Sequence, residues 1–204
     1  MKPVITAIFL LSSLALWGQE GGKLTIEEKS EISAHLENSW ENLERLVMSL
    51  TKEQWNYKTV DSVWSIAEIS EHLEKSENQL FSLVKNQLNL SPAEPEKAGE
   101  ASGKTKTVMD AITSRDHKVK TTPELEPTGH YDSPEVFIKN FDELRKKTLI
   151  YAQSTEDELR HHFIPFGPLG DLDGYQILMF MSGHMERHIQ QIEEVMEDPS
   201  YPSA

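Results

Sequence analysis

Three histidines carry the residue types and spacing best suited to chemistry: His72, and the pair His184 and His188 four positions apart. On an α-helix, residues i and i+4 lie one above the other on the same face, so the pair aims two imidazoles at one point. A third imidazole from a neighbouring helix completes a facial three-nitrogen site for a divalent metal. The sequence has no cysteine. Any metal must therefore be held by nitrogen or oxygen, and neither disulfides nor a cysteine nucleophile are available.

The elements that must position these side chains can be read from hydrophobic periodicity, which shows four long amphipathic stretches and no internal repeat. The first runs from about Thr25 to Leu50. It opens with the capping box Thr25-Ile26-Glu27-Glu28 and is striped by Ile32, Leu36, Trp40, Leu43, Val47 and Leu50. Thr51-Lys52-Glu53-Gln54 starts a short turn carrying Trp55 and Tyr57. A second box, Ser65-Ile66-Ala67-Glu68, opens the next helix, whose stripe is Ile69, His72, Leu73, Ser76, Leu80 and Leu83. From about Asn89 to Asp132 the pattern breaks down into Pro, Gly, Lys, Glu and Thr, with at most a brief helix from Val108 to Ser114. This long connection reads first as a solvated crossover between two parallel helices, with a lid as the alternative. Ser133-Pro134 restarts helix as N-cap and first turn, followed by Phe137, Phe141, Leu144, Thr148 and Tyr151. An extended or turning link, His162 to Pro168, precedes Asp173-Gly174-Tyr175-Gln176, the cap of the last helix. There Ile177, Met181, His184, His188, Ile192 and Val195 share one face. The fold class that follows is all-α, a four-helix bundle with a long crossover between its second and third helices.

Both histidines of the pair thus sit mid-stripe on an apolar face, and His72 lies on or beside another. An unpaired polar group in a core costs about 1–3 kcal/mol, which makes three converging imidazoles expensive unless something binds them together. A metal does so, taking one nitrogen of each ring while the other donates to a nearby acceptor. Taken singly, each histidine reads more simply as a satisfied core residue bonded to Glu, Gln or water.

The remaining composition narrows the class of protein. The 204 residues suit one domain, and the formal charge of −14 disfavours nucleic acid or an anionic membrane surface as a partner. Met1-Lys2, the apolar run Val4 to Trp17 and the polar exit Gly18-Gln19-Glu20 have the pattern of a secretory signal, residues 1–18. The run is short of the roughly 20 residues of a spanning helix. Cleavage after Ala15 or after Gly18 is equally compatible. The expectation is an exported, periplasmic or secreted protein with a bundle over residues 23–197, a tail over 198–204 and no membrane association after cleavage. A homodimer is expected only because it is the commonest assembly.

The stretches Trp64-Ser65-Ile66-Ala67-Glu68-Ile69-Ser70-Glu71-His72-Leu73 and Gly183-His184-Met185-Glu186-Arg187-His188-Ile189-Gln190-Gln191-Ile192 resemble the DinB-like superfamily of bacterial metalloproteins. The resemblance extends from about Lys23 to Glu197. It implies an up-up-down-down bundle and a three-histidine site, often occupied by zinc or nickel, with His72, His184 and His188 as ligands. It implies less about the reaction. Better-understood members resemble thiol-dependent transferases and isomerases, and others look like hydrolases of unknown substrate. Low-molecular-weight thiols are chiefly cytosolic, which sets export against the first group, whereas three imidazoles around zinc with an open position can activate water. Two classes remain: a metal-dependent hydrolase or transferase acting on an unidentified small molecule, and a non-catalytic metal-binding or stress-associated bundle.

Other residues near the motifs carry plainer readings. Glu68 is the N3 partner of the Ser65 box before it is a general base. Gln191 reads as a polar flank rather than an orienting group, and Trp64 as a staple before the cap rather than a pocket wall. His161 and His162 read as solvated loop residues. Tyr175 starts the last helix about 13 Å from His184 along the axis. His35, His117 and His130 show no partner pattern.

Overall fold

The computed structural model describes residues 20–116 and 119–203. The apolar run, both cleavage positions and His117 lie outside the described residues. Six helices follow in order: α1 (Ile26–Val47), α2 (Lys52–Asn56), α3 (Ile66–Ser82), α4 (Ala98–Thr113), α5 (Pro134–Ser154) and α6 (Gly174–Met196). Between α5 and α6 a hairpin pairs β1 (Phe163–Pro165) with β2 (Asp171–Asp173) in antiparallel register, Phe163 opposite Asp173. Among the described residues the fold is all-α apart from this hairpin. None of the described helices is long and apolar enough to cross a membrane.

The helix starts lie where the capping residues place them. Thr25, Thr51, Ser65 and Asp173 each accept the N3 backbone N–H, and the N3 side chains Glu28, Gln54, Glu68 and Gln176 reach back to the cap N–H. Each box satisfies two backbone donors that a helix N-terminus otherwise leaves open. Pro134 occupies the first turn of α5 behind Ser133, as expected, although the Ser133 side chain makes no capping bond.

The crossover departs from the sequence expectation. In place of at most a brief helix from Val108 to Ser114, it contains α4, 16 residues from Ala98 to Thr113, packed on α6. Gly99 and Gly103 lower helix propensity, and the stripe of Ala98, Ala101 and Val108 is too small to register as a core face. Its partner makes room for its larger side chains. A Cβ on Gly183 of α6 would lie 2.6 Å from Ile112 Cγ2 and 3.2 Å from Met109 Cε, so the two helices meet at an approach only glycine permits.

The long helices form a ring in which α1 packs on α5 and α6, and α3 packs on the same two. Two apolar clusters fill it. One gathers Leu36, Leu80, Ala152, Ile177 and Met181 with the hairpin residue Leu172. The other gathers Trp40, Trp55, Ile69, Leu73, Phe137, Phe141, Met185 and Ile192, with Trp40 stacked on Phe141 at 4.9 Å. Residues 198–203 lie against α2: Gln54 Nε2 donates to the Pro202 carbonyl at 3.0 Å, and the Tyr57 hydroxyl to Asp198 at 2.9 Å.

Where one cluster gives way to the other, each helix contributes polar side chains. Along α6 the change falls between Met181 and Met185, along α3 between Leu73 and Leu80, along α5 between Phe141 and Ala152, and along α1 between Leu36 and Trp40. Into this seam go Ser39, Ser76, Glu77, Arg145, Thr148 and Ser182, all buried, together with His184. The bundle thus carries a polar layer across its middle, with His184 inside it and His72 and His188 at its edge.

Candidate metal centre

His72 sits in the second turn of α3, set by the Ser65 cap, and His184 and His188 occupy successive turns of α6, set by the Asp173 cap. His72 and His188 are 4% and 7% exposed. The three side chains offer ring nitrogens that all lie within 4.8 Å of one another. His184 Nε2 is 3.4 Å from His72 Nε2 and 3.2 Å from His188 Nε2. Around an ion with nitrogen ligands at about 2.0–2.1 Å in tetrahedral array, donor atoms are spaced about 3.3 Å apart. The two spacings to His184 match that value, and the remaining pair lies within 4.8 Å.

The outer ring nitrogens determine which lone pairs face inward. His72 Nδ1 lies 3.0 Å from the Leu125 carbonyl, which only accepts, so Nδ1 donates and Nε2 is left as the base. His188 Nδ1 donates in the same way to Gln191 Oε1 at 2.8 Å. Two fixed lone pairs therefore converge on His184 Nε2, and a proton there can serve only one of them. The Ser76 hydroxyl, 3.4 Å from His72 Nε2, is the other donor at hand.

Electrostatics keep all three rings neutral, the form a metal requires. Burial lowers His72 below its ordinary value, opposed by the Leu125 carbonyl and reinforced by Lys75. Burial, then the neighbouring His188, His72 and Arg187, hold His184 well below that value. His188 falls to about 3, through burial first and His72 next, with Arg115 and Arg187 adding to the shift and Gln191 resisting it.

Aromatic rings line the histidines on two sides. Trp64 lies 5.0 Å from His72 between ring centroids, and Phe180 stacks on His184 at 5.8 Å with Phe166 edge-on behind it. Trp64 thus acts as a wall as well as the residue before a cap. Met179, Met181 and Met185 are core residues, and Met185 Sδ lies 3.7 Å from Arg145.

Among the other residues read from the sequence, Glu68 bonds the Ser65 N–H and pairs with Lys58 at 2.8 Å, the capping role expected of it. Tyr175 is buried and donates to Glu31 at 2.8 Å, away from any ligand role. His161 and His162 do not join the cluster, but they are half-buried rather than solvated, and His162 Nδ1 bonds the Ser91 carbonyl at 2.8 Å. Gln191 requires correction. It is no mere polar flank, because one turn past His188 its amide oxygen reaches back to orient that ring.

Sequence reasoning missed Glu71. This carboxylate is 1% exposed and accepts the backbone N–H groups of Thr128, Gly129 and His130 at 2.9–3.0 Å. Burial alone pushes its carboxyl up, but the His130 N–H, Lys75 and Thr128 outweigh that and bring it down to about 2. The only signal for it was a charged residue on a buried stretch of helix, directly before a candidate ligand.

Comparison with known proteins agrees with the motif reading. The chain is 25% identical over 148 residues to the uncharacterized protein YuaE of Bacillus subtilis (strain 168), a match spanning 72% of this chain and 86% of that one. No solved structure matches it. A family model described as the DinB superfamily matches residues 35–192. That span takes in α1 from its third turn, the whole crossover, all three histidines and Gln191, and the chain belongs to the DinB superfamily.

Proposed function

We propose that His72, His184 and His188 hold one divalent metal ion, zinc or nickel, and that the protein is an exported metal-dependent enzyme, a hydrolase or transferase acting on a small molecule. The observation that carries this reading is the convergence of three neutral Nε2 atoms at 3.2 and 3.4 Å, two of them fixed as bases by acceptors on Nδ1. When bound, such an ion supplies Lewis acidity at any coordination position the histidines leave open. The chain's own groups do the rest. Leu125 and Gln191 hold two rings in register, Trp64 and Phe180 keep bulk water from two sides, and Ser76 places a hydroxyl beside His72 Nε2. Export rests on the pattern of residues 1–18.

A second reading, in which the ion chiefly staples the bundle and catalyses nothing, draws support from the burial of His72 and His188. Elemental mass spectrometry on protein purified without an affinity tag tests the metal itself. Near-stoichiometric zinc or nickel is expected, and it should be lost in His72→Ala and in His184→Ala. Metal that is absent after reconstitution, or unchanged in both variants, would overturn the three-histidine site. In cobalt-loaded protein, a visible spectrum that responds to azide would favour the enzyme, and an unresponsive one the staple.

A further inference from the structure

The loop over His72 is held mainly by polar contacts. None of residues 119–130 is fully buried, and Leu125 and Pro127 are its half-buried apolar side chains. Yet its Leu125 carbonyl takes the Nδ1–H of a 4% exposed histidine at 3.0 Å. Three residues further on, Thr128, Gly129 and His130 turn consecutive backbone N–H groups onto Glu71, and the Thr128 hydroxyl adds a bond of 2.7 Å. Gly129, at φ +81°, allows the turn that lets neighbouring amides converge on one carboxylate. Lys75, one helical turn on, closes the assembly, with Nζ 2.8 Å from Glu71 Oε1 and 2.7 Å from the Glu126 carbonyl. Adjacent residues of α3 thus grip one loop: Glu71 holds its backbone donors and His72 its backbone acceptor.

We propose that Glu71 is a positioning residue for the metal centre. By docking segment 125–130 it keeps the Leu125 carbonyl on His72 Nδ1, and so presents His72 Nε2 as the lone pair aimed at His184 and His188. The inference deepens the metal reading and rests on it, but its first consequence, the tautomer of His72, exists without metal.

Two readouts test it on the full chain with Glu71→Gln, which keeps the shape but turns a donor toward backbone N–H groups. In metal-free protein, nitrogen-15 long-range correlation spectra should show His72 as the Nδ1–H tautomer, and as a mixture in Glu71→Gln. Zinc affinity, from competition with a chromophoric chelator, should fall 10- to 100-fold in Glu71→Gln. It should fall less, in the same direction, in Thr128→Ala, which removes only the hydroxyl bond and keeps the test alive if the first variant folds poorly. In a His72→Ala background, Glu71→Gln should change residual zinc affinity by less than twofold, since the ring it acts through is gone. An unchanged tautomer in Glu71→Gln would overturn the proposal, as would an equal affinity loss in both backgrounds. Wild-type protein that binds no zinc would instead sink the metal reading, leaving the tautomer to decide the role of Glu71.

Discussion

The polar layer across the bundle has two halves, both on α3 and within two turns of each other. In one, Arg145 of α5 donates to the Leu36 carbonyl at 3.0 Å, to Ser39 at 3.4 Å and to Glu77 at 3.1 Å, while Thr148 donates to the other Glu77 oxygen at 2.9 Å. All the donors named there meet acceptors, Arg145 Nε being left over, and opposite charges meet each other at 1% and 3% side-chain exposure. In the other half, the lone pairs of His72 and His188 both meet at His184 Nε2, and the outer nitrogens of those two rings have already taken acceptors. Burial is nearly the same in both, so burial of polar groups does not by itself separate structure from function. What separates them is whether the groups complete one another or leave a shared deficit that a positive ion would fill.

The largest effect should come from breaking the complementary half. Glu77→Ala leaves Arg145 buried without its counter-charge and should cost about 3–5 kcal/mol in denaturant unfolding of the metal-free protein. Glu77→Leu combined with Arg145→Met should recover most of that. A single-variant loss under about 1 kcal/mol would erase the contrast. The histidine half should instead declare itself through pH. With folded values depressed, His188 to about 3, the unfolded chain binds protons that the folded rings refuse once pH falls below about 6.5. Metal-free stability is then complete above that pH and lost as acid is added, by up to about 1.4 kcal/mol per pH unit for each histidine. The slope should be shallower in His184→Gln/His188→Gln, and coincident slopes would clear the histidines of responsibility. The smallest effect concerns one hydrogen bond: Gln191→Ala should weaken zinc binding about tenfold by freeing the His188 ring. Unchanged affinity in a chelator competition would return Gln191 to the status of a polar flank.

How much of this was legible depends on whether the signal was carried by side chains close in sequence. The capping boxes at Thr25, Thr51, Ser65 and Asp173 are local four-residue patterns, and they fixed the starts of four helices. His184 and His188 announce a shared face by spacing alone. α4 was illegible because its buried positions, Ala98, Ala101 and Val108, make too weak a stripe, and because the glycine that admits its Met109 and Ile112, Gly183, follows about 70 positions later. The grip of Glu71 on the loop was illegible for another reason. Its partners are backbone amides of Thr128, Gly129 and His130, and an amide has the same chemistry at almost every position of any sequence.

Gly183 limits what could be borrowed from this protein. The next residue of α6 is His184, and the absence of a side chain at 183 lets α4 press against the same helix. Gly174, where a Cβ would lie 2.6 Å from Leu88 Cδ2, does the same at the helix start. A slip of one residue would rotate α6 by about 100° and drive ordinary side chains into both gaps. The helix is therefore keyed in rotation, as a shaft is by a notch. Grafting three histidines onto another bundle would copy the ligands but not the key, and the imidazoles would be free to turn away from their common point.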